Sequence, residues 1–265
     1  MTPRSLPTWL AGVVAELELD RPSVVTREQV EELRTRTGVR APAHRIIAEL
    51  HARGWLLKTG AHGTWEFIPG ERAGAISSGD PFLALRATLE TTPDSGATVA
   101  LGSALWLLDA SDRAPDRQEV ALPKNTFVPV ALKRAYRVVH HDARLDPVRI
   151  KDLPVHRVAT VLVHLVCKPT DVRSWGSVLP ALPELLARSP EEGIREELTG
   201  RSHAARVRFA YLVSGLAPDL VERLDIRPAG KVWFGPRGQL RRHSARWQVA
   251  DTVLPMAPPG TESEA

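Results

Sequence analysis

Residues 26–68 read TREQVEELRTRTGVRAPAHRIIAELHARGWLLKTGAHGTWEFI, and the fold turns on how this stretch is parsed. Thr26 followed three residues later by Gln29 has capping-box spacing, so a helix is predicted from Thr26 to about Arg36, with Val30 and Leu33 as its inward stripe. Gly38 supplies a turn, because a left-handed backbone is cheap for glycine. Pro42 suits the first turn of a second helix, Pro42 to Arg53, where its missing N–H would be unpaired in any case. Ala43, Ile46, Ile47 and Leu50 fall at i, i+3, i+4 and i+7, which buries one face of that helix. Gly54 stops it. Trp55–Lys58 and Thr64–Ile68 read as two short strands joined by the tip Thr59-Gly60-Ala61-His62-Gly63. The pattern is a winged helix-turn-helix.

Charge is concentrated on one edge of this unit. Between Arg34 and Lys58, six basic residues (Arg34, Arg36, Arg40, Arg45, Arg53 and Lys58) face Glu49 alone, whereas residues 1–33 are net acidic. A local basic edge on a helix-turn-helix is what phosphate binding with counterion release requires. The candidate reading residues are Arg40, His44 and Arg45 near the start of the second helix, the end that meets base edges in such motifs. A winged helix used only for protein contacts is the alternative. For Arg45 the plainer role is an ion pair with Glu49 one helical turn on.

At 265 residues, with 43% apolar and 25% charged side chains, the chain has room for two domains and ordinary globular composition. The pI near 9.6 permits a nucleic-acid partner without demanding one. Cys167, the single cysteine, excludes an intrachain disulfide and fits a reducing compartment, so a cytoplasmic location is expected. No signal-peptide pattern and no apolar run long enough to span a bilayer is present, so no membrane partner is expected.

Outward from the winged helix, Leu6 to Glu18 has helical spacing and would complete a three-helix core. Residues 69–80 (PGERAGAISSGD) lack periodicity and read as a linker. This gives two predicted domains, 1–70 and 80–255. Asp80-Pro81 starts a helix, and Thr98 to Ser111 reads as another, with Trp106 packed in the core. The segments EVALP, TFVPV and YRVVHHDARL between Glu119 and Leu145 suggest a small antiparallel sheet. VHRVATVLVHLVC (155–167) is read as a buried helix in spite of its β-branched residues. A helix capped by Asp171 runs from Val172 to Arg188, bent or broken by Pro180 and Pro183. Further helices are predicted at 193–199, His203–Ser214 and Pro218–Leu224, with strands at Lys231–Gly235 and Arg246–Val249. Residues 256–265 read as a disordered tail. The fold class is α+β: an N-terminal winged helix-turn-helix followed by a larger mixed helix and antiparallel-sheet domain.

Catalytic chemistry leaves no signature. There is no phosphate-binding glycine loop and no nucleophile elbow, so neither enzymatic activity nor a cofactor is expected. His140-His141-Asp142 is the densest ligand-type cluster, but adjacent strand residues point to opposite faces and no metal is expected there. His164 and Cys167 could share a helix face, yet two ligands do not make a zinc site. Arg201 to Val249 carries ten basic residues against three acids, with Trp233, Phe234 and Trp247 interleaved. This is either a solvated basic face over an aromatic core or a second nucleic-acid surface, with Arg206, Arg208, Arg237, Arg241 and Arg242 as its candidates.

With the whole layout in view, the sequence resembles the AbiEi antitoxins of type IV toxin–antitoxin systems, and its actinobacterial branch most closely. The resemblance is carried by RGWLLKTGAHGTWEFIPG (53–70), DPFLALRATLE (80–90), VALGSALWLLDASDR (99–113) and VALPKN (120–125), then by RFAYLVSGLAPDLVERL (208–224), VWFGPRG (232–238) and WQVADTVLP (247–255). LPVHRVATVLVHLV (153–166) departs from the proline- and threonine-rich helix start common in the wider family. The resemblance implies a winged helix that represses its own promoter and a C-terminal domain that counteracts a neighbouring nucleotidyltransferase toxin without needing a stable complex. Carried onto this chain, it implies DNA contacts from Arg40, His44 and Arg45 with Arg36 nearby, and wing contacts from Lys58, Thr59 and His62. The other reading open at this point is a ligand-responsive transcriptional regulator with no toxin partner.

Overall fold

Thr26 closes one element and opens the next. In the computed structural model, which describes residues 6–72 and 77–261, the Thr26 hydroxyl accepts the Gln29 amide at 3.2 Å and Gln29 Oε1 accepts the Thr26 amide at 2.8 Å. Two orphan donors are thereby satisfied reciprocally, and helix α2, Arg27–Thr37, follows. Gly38, at φ 70°, ends it. Pro42 lies one position earlier than expected: it is the extended residue that precedes helix α3, Ala43–Ala52, instead of its first helical residue. Helix α1, Ala11–Asp20, is led in by a 3₁₀ turn at Thr8–Leu10.

Strands β1 (Val24–Thr26), β2 (Leu56–Lys58) and β3 (Thr64–Phe67) form an antiparallel sheet in the order β1-β3-β2. Three helices and a sheet in this succession make the winged-helix arrangement read from residues 26–68. Strand β1 went unread in the sequence because three residues are too few to show alternation. Leu10, Val13 and Leu17 of the N-terminal helical segment, Val30 and Leu33 of α2, and Ile46, Ile47 and Leu50 of α3 share one core with Leu56 and Phe67.

The chain divides into two compact units. One runs to Ala97 and takes in Thr126–Arg137; the other holds Thr98–Asn125 and the chain from Val138 onward. The linker expected at 69–80 therefore lies within the first unit. Gly70–Arg72 is a 3₁₀ turn, and residues 73–76 lie outside the described residues. Helix α4, Leu83–Thr91, packs on β1 and β3. Asp80 shapes the turn before α4 instead of capping it, accepting the Phe82 amide and pairing with Arg86 at 2.7 Å.

In the second unit, a two-residue strand β4 (Thr98–Val99) replaces the expected helix start, and helix α5 spans Leu101–Leu107 with Trp106 half-buried instead of in the core. Thr98 and Val99 pair with Ala121 and Val120 of β5, Glu119–Leu122, and that pairing overrides the helical spacing. TFVPV is not a strand. Pro129 removes a ladder donor, and Val130 begins helix α6, Val130–Ala135, in the first unit. There Leu132 is buried, the Tyr136 hydroxyl accepts the Leu85 amide at 3.0 Å, and its ring stacks on Phe82.

Strands β6 (Arg137–His140), β7 (Val148–Ile150) and β8 (Leu153–Val155) complete a five-stranded sheet ordered β6-β5-β4-β8-β7. The sheet is mixed, since β4 and β8 run parallel. Helix α7, Val158–Cys167, is buried from Val158 through Val166, as read from its length. It packs against α5, α8 (Trp175–Ala187), α9 (Glu191–Leu198) and α10 (His203–Val213). Helix α8 continues through Pro180 and Pro183. Both prolines are exposed, so neither ring has to be packed into the core. Its cap is Ser174, not Asp171.

After helix α11 (Pro218–Arg223) comes a small sheet of β9 (Val232–Phe234), β10 (Arg242–Ser244) and β11 (Val249–Asp251), in the order β10-β11-β9, with β9 and β11 parallel. The strand expected at Arg246–Val249 is displaced onto these neighbours. The tail expected to be disordered is seated as far as it is described. Pro258 is buried, and a Cβ on Gly215 would lie 2.3 Å from the Gly260 carbonyl carbon. Gly215→Ala should therefore cost about 1–3 kcal/mol, the usual penalty for overpacking a closed contact. The check is a denaturant melt, and an unchanged midpoint would contradict this packing.

Candidate nucleic-acid interface

Helix α3 turns Ala43, Ile46, Ile47 and Leu50 inward, and the same periodicity leaves His44, Arg45 and Ala48 exposed. Arg40, in the α2–α3 turn, is exposed beside them. Among the described residues neither Arg40 nor Arg45 has a carboxylate partner, although their neighbours do. Arg34 pairs with Glu31, Arg36 with Glu16 at 3.0 Å, and Arg53 with Glu49 at 3.3 Å. Glu49 thus pairs with the residue four positions after it, not with Arg45. The Arg45 guanidinium instead lies over the Trp9 ring, 6.0 Å from its centroid, a cation–π arrangement that holds the side chain without neutralising it.

The wing divides its residues. Lys58 and His62 are exposed. Thr59 is half-buried and its hydroxyl is engaged locally, against Thr64 Oγ1 and the Ala61 amide, so it shapes the tip instead of presenting a free donor. Arg36, held by Glu16, likewise begins from an ion pair that nucleic acid would have to displace. Arg40, His44, Arg45, Lys58 and His62 remain as exposed donors that could meet phosphate or base edges. Cationic and imidazole donors at the start of a helix, with a flanking wing, can combine phosphate contact with major-groove contact.

The C-terminal arginines are arranged differently from the second surface considered in the sequence. Arg206 donates to the Leu224 carbonyl, and Arg208 to those of Trp233 and Val166. Arg241 donates to the Val253 carbonyl at 2.9 Å; Arg242 donates to the carbonyls of Leu254 and Pro255 and also meets Asp251. Their guanidinium groups tie backbone segments together, which accounts for a basic stretch in a packed region without a ligand. Arg237 alone of the five is exposed with no intramolecular partner among the described residues.

Sequence reasoning missed Glu197. Its carboxylate is fully buried and accepts from the Arg144 and Leu145 amides, from the Thr160 hydroxyl at 2.7 Å, and from Arg201 at 3.0 Å. Arg201 reaches on to the Asp142 carbonyl. The only signal was Glu-x-x-x-Arg spacing, which reads as an exposed helix pair. Breaking a buried pair from one side leaves the other charge stranded. Glu197→Ala should cost about 3–5 kcal/mol on that basis; a loss below about 1 kcal/mol, the range of exposed pairs, would contradict it.

His141, His156 and His164 are buried near this pair. His140 faces the Pro123 carbonyl, and His141 turns inward to stack on His164 with ring centroids 4.2 Å apart; His156 meets His141 edge-on at 5.9 Å. His140 and His141 therefore diverge, as the strand pleat requires. No group of three metal-ligating side chains among the described residues is placed to hold an ion. Burial is the main force keeping His141, His156 and His164 neutral, aided for His141 and His156 by their histidine neighbours; it lowers His156 to about 3. Asp171, 3.2 Å from His164 Nε2, opposes this at His164. Because the folded values lie below the unfolded value of about 6.5, the unfolded chain binds more protons, so stability is full above that pH and falls below it. Between pH 7 and 5 the free energy of unfolding should begin to fall, approaching about 1.4 kcal/mol per pH unit for each neutral histidine. A flat profile by denaturant titration would contradict this.

Two comparisons bear on this architecture. Residues 97–215 match the family described as the AbiEi antitoxin C-terminal domain. Over this segment the chain is similar to AbiEi antitoxins. The start of the segment coincides with the division of the chain at Ala97, and the segment includes the mixed sheet, α7 and the Glu197–Arg201 pair. The whole chain is also similar to the crystal structure of the RV2827C protein from Mycobacterium tuberculosis, at 29% identity and a TM-score of 0.75, covering 95% of this chain and 94% of that one. No curated protein matches. None of the helices among the described residues is long and apolar enough to cross a membrane.

Proposed function

We propose that the protein is a bacterial antitoxin and autorepressor: its winged helix binds operator DNA in its own promoter, and its AbiEi domain counteracts a nucleotidyltransferase toxin encoded beside it. The observation that carries the DNA reading is the uneven pairing of the arginines. Arg34, Arg36 and Arg53 are held by carboxylates. Arg40 and Arg45, at the end of α3 that a helix-turn-helix offers to the groove, are exposed and not ion-paired among the described residues. The family match supports the antitoxin role. On this reading neutralisation does not require a stable complex with the toxin.

Arg45→Ala should weaken binding of the full chain to its own upstream DNA by about 1–3 kcal/mol, the worth of a bidentate base contact. A reduced salt slope with specificity intact would reassign Arg45 to a phosphate, and unchanged binding would remove it from the interface. Co-expression with the adjacent nucleotidyltransferase is expected to restore growth, whereas continued growth arrest would contradict the antitoxin role.

A further inference from the structure

Trp9 is kept at the surface by a local constraint. It is the middle residue of the 3₁₀ turn Thr8–Leu10, which the Leu10 amide closes on the Pro7 carbonyl at 2.9 Å. Leu10 belongs to the core of the winged-helix unit and has no exposed surface. Successive residues of a turn with three residues per repeat point in well-separated directions. With Leu10 inward the indole is turned outward, and it stays 37% exposed. A large aromatic held there forgoes part of the burial that usually justifies its size.

Its ring face is occupied by Arg45 of α3, whose guanidinium carbon lies 6.0 Å from the ring centroid. Helix geometry offers Arg45 a carboxylate one turn on, at Glu49. Glu49 pairs with Arg53 at 3.3 Å instead. Arg34 and Arg36 are likewise drawn to Glu31 and Glu16. At the head of α3, then, an aromatic face takes the place that carboxylates take for the neighbouring arginines, with a different electrostatic result. A carboxylate fixes a guanidinium by neutralising it and engaging its N–H groups. A ring quadrupole fixes it and leaves both the charge and the donors unspent. A free arginine gives up much rotamer entropy on binding, and a side chain ordered beforehand gives up less.

We infer that Trp9 is a positioning residue for DNA recognition: its ring holds the Arg45 guanidinium ordered and still charged at the head of α3 before DNA arrives. This rests on the DNA-binding reading above and deepens it. Trp9 lies ahead of α1 in the chain, where no helix-turn-helix pattern would select it. The packing alternative is that Arg45 merely lays its apolar stem over the indole. Any apolar side chain at position 9 would serve that purpose, so the two roles separate by substitution.

The test uses the full chain as wild type, Trp9→Phe, Trp9→Leu, Arg45→Ala and Trp9→Leu/Arg45→Ala. Phenylalanine keeps an aromatic face, and leucine keeps apolar volume without one. Trp9 lies outside the core cluster, so the variants should fold. The first readout needs no DNA: nitrogen-15 relaxation of the Arg45 Nε–H group reports how ordered the guanidinium is. Motion should be restricted in wild type, intermediate in Trp9→Phe and free in Trp9→Leu. The second readout is affinity for the chain's own upstream DNA. Trp9→Leu should weaken it about twofold to fivefold, the range of an exposed cation–π contact, and Trp9→Phe should recover most of that loss. The salt slope of Trp9→Leu should match wild type, since no phosphate contact is removed. Once Arg45 is alanine, Trp9→Leu should have no further effect.

An Arg45 side chain equally mobile in wild type and Trp9→Leu overturns the inference. So does a loss from Trp9→Leu that is the same with Arg45 present or absent, because the indole would then touch DNA or support the fold in its own right. Undiminished binding by Trp9→Leu overturns it and leaves the α3 reading intact. Absence of specific wild-type binding overturns the DNA reading, and the recognition role of Trp9 with it, whatever the Arg45 relaxation shows.

Discussion

Burial of Ile46, Ile47 and Leu50 is the constraint on which the N-terminal unit depends. Those three side chains leave almost no surface in water, and a helix of 3.6 residues per turn has no freedom once they are placed. His44 and Arg45 must then face outward, and Arg40 is delivered by the short turn that Gly38 permits. The Thr26–Gln29 box fixes the start of α2 directly after a hydrophobic strand, and with it the register of the turn that leads to α3. Electrostatics completes the selection. Carboxylates of α1, α2 and α3 hold Arg36, Arg34 and Arg53, while Arg40 and Arg45 at the head of α3 have no carboxylate partner among the described residues.

The C-terminal unit solves a different problem. Helix α7 is almost entirely apolar and surrounded, so it carries no directional information about the chain that wraps it. Glu197 supplies that information by accepting from two loop amides, a helix hydroxyl and Arg201 at once. The stacked histidines beside it are compatible with burial only while neutral. This region reads as a specificity device for one arrangement of loop 141–145, α7 and α9, and the arginines at the end of the chain act in the same spirit by bonding carbonyls.

Much of this was legible in the sequence where one local rule governed. The capping box, the Gly38 turn, the α3 stripe, the wing and the buried helix over 158–167 follow from spacing and length. Misreadings arose where long-range pairing overrode local propensity. Thr98-Val99 joined a sheet because β5 was there to pair with it, and Val130 began a helix because Pro129 could not serve a ladder. The two prolines in α8 were tolerated because they face water, which spacing alone does not reveal. At the candidate site, the exposed residues of α3 were readable from the residues that are buried. The partners that withhold Arg36 and Thr59 from a ligand were not, since Glu16 lies twenty residues away and Thr64 across a turn. The C-terminal arginines looked like a surface because charge in a sequence does not say whether carbonyls await it.

The account stands most directly on whether the full chain recognises its own upstream DNA. The measurement is a mobility shift on that DNA and on an unrelated duplex, repeated across a salt series. The expected result is a specific shift whose affinity falls steeply and linearly in log–log form as salt rises, with the unrelated duplex bound far more weakly. Equal binding to both duplexes, or none at either, would contradict the assignment of α3 as a DNA-reading helix.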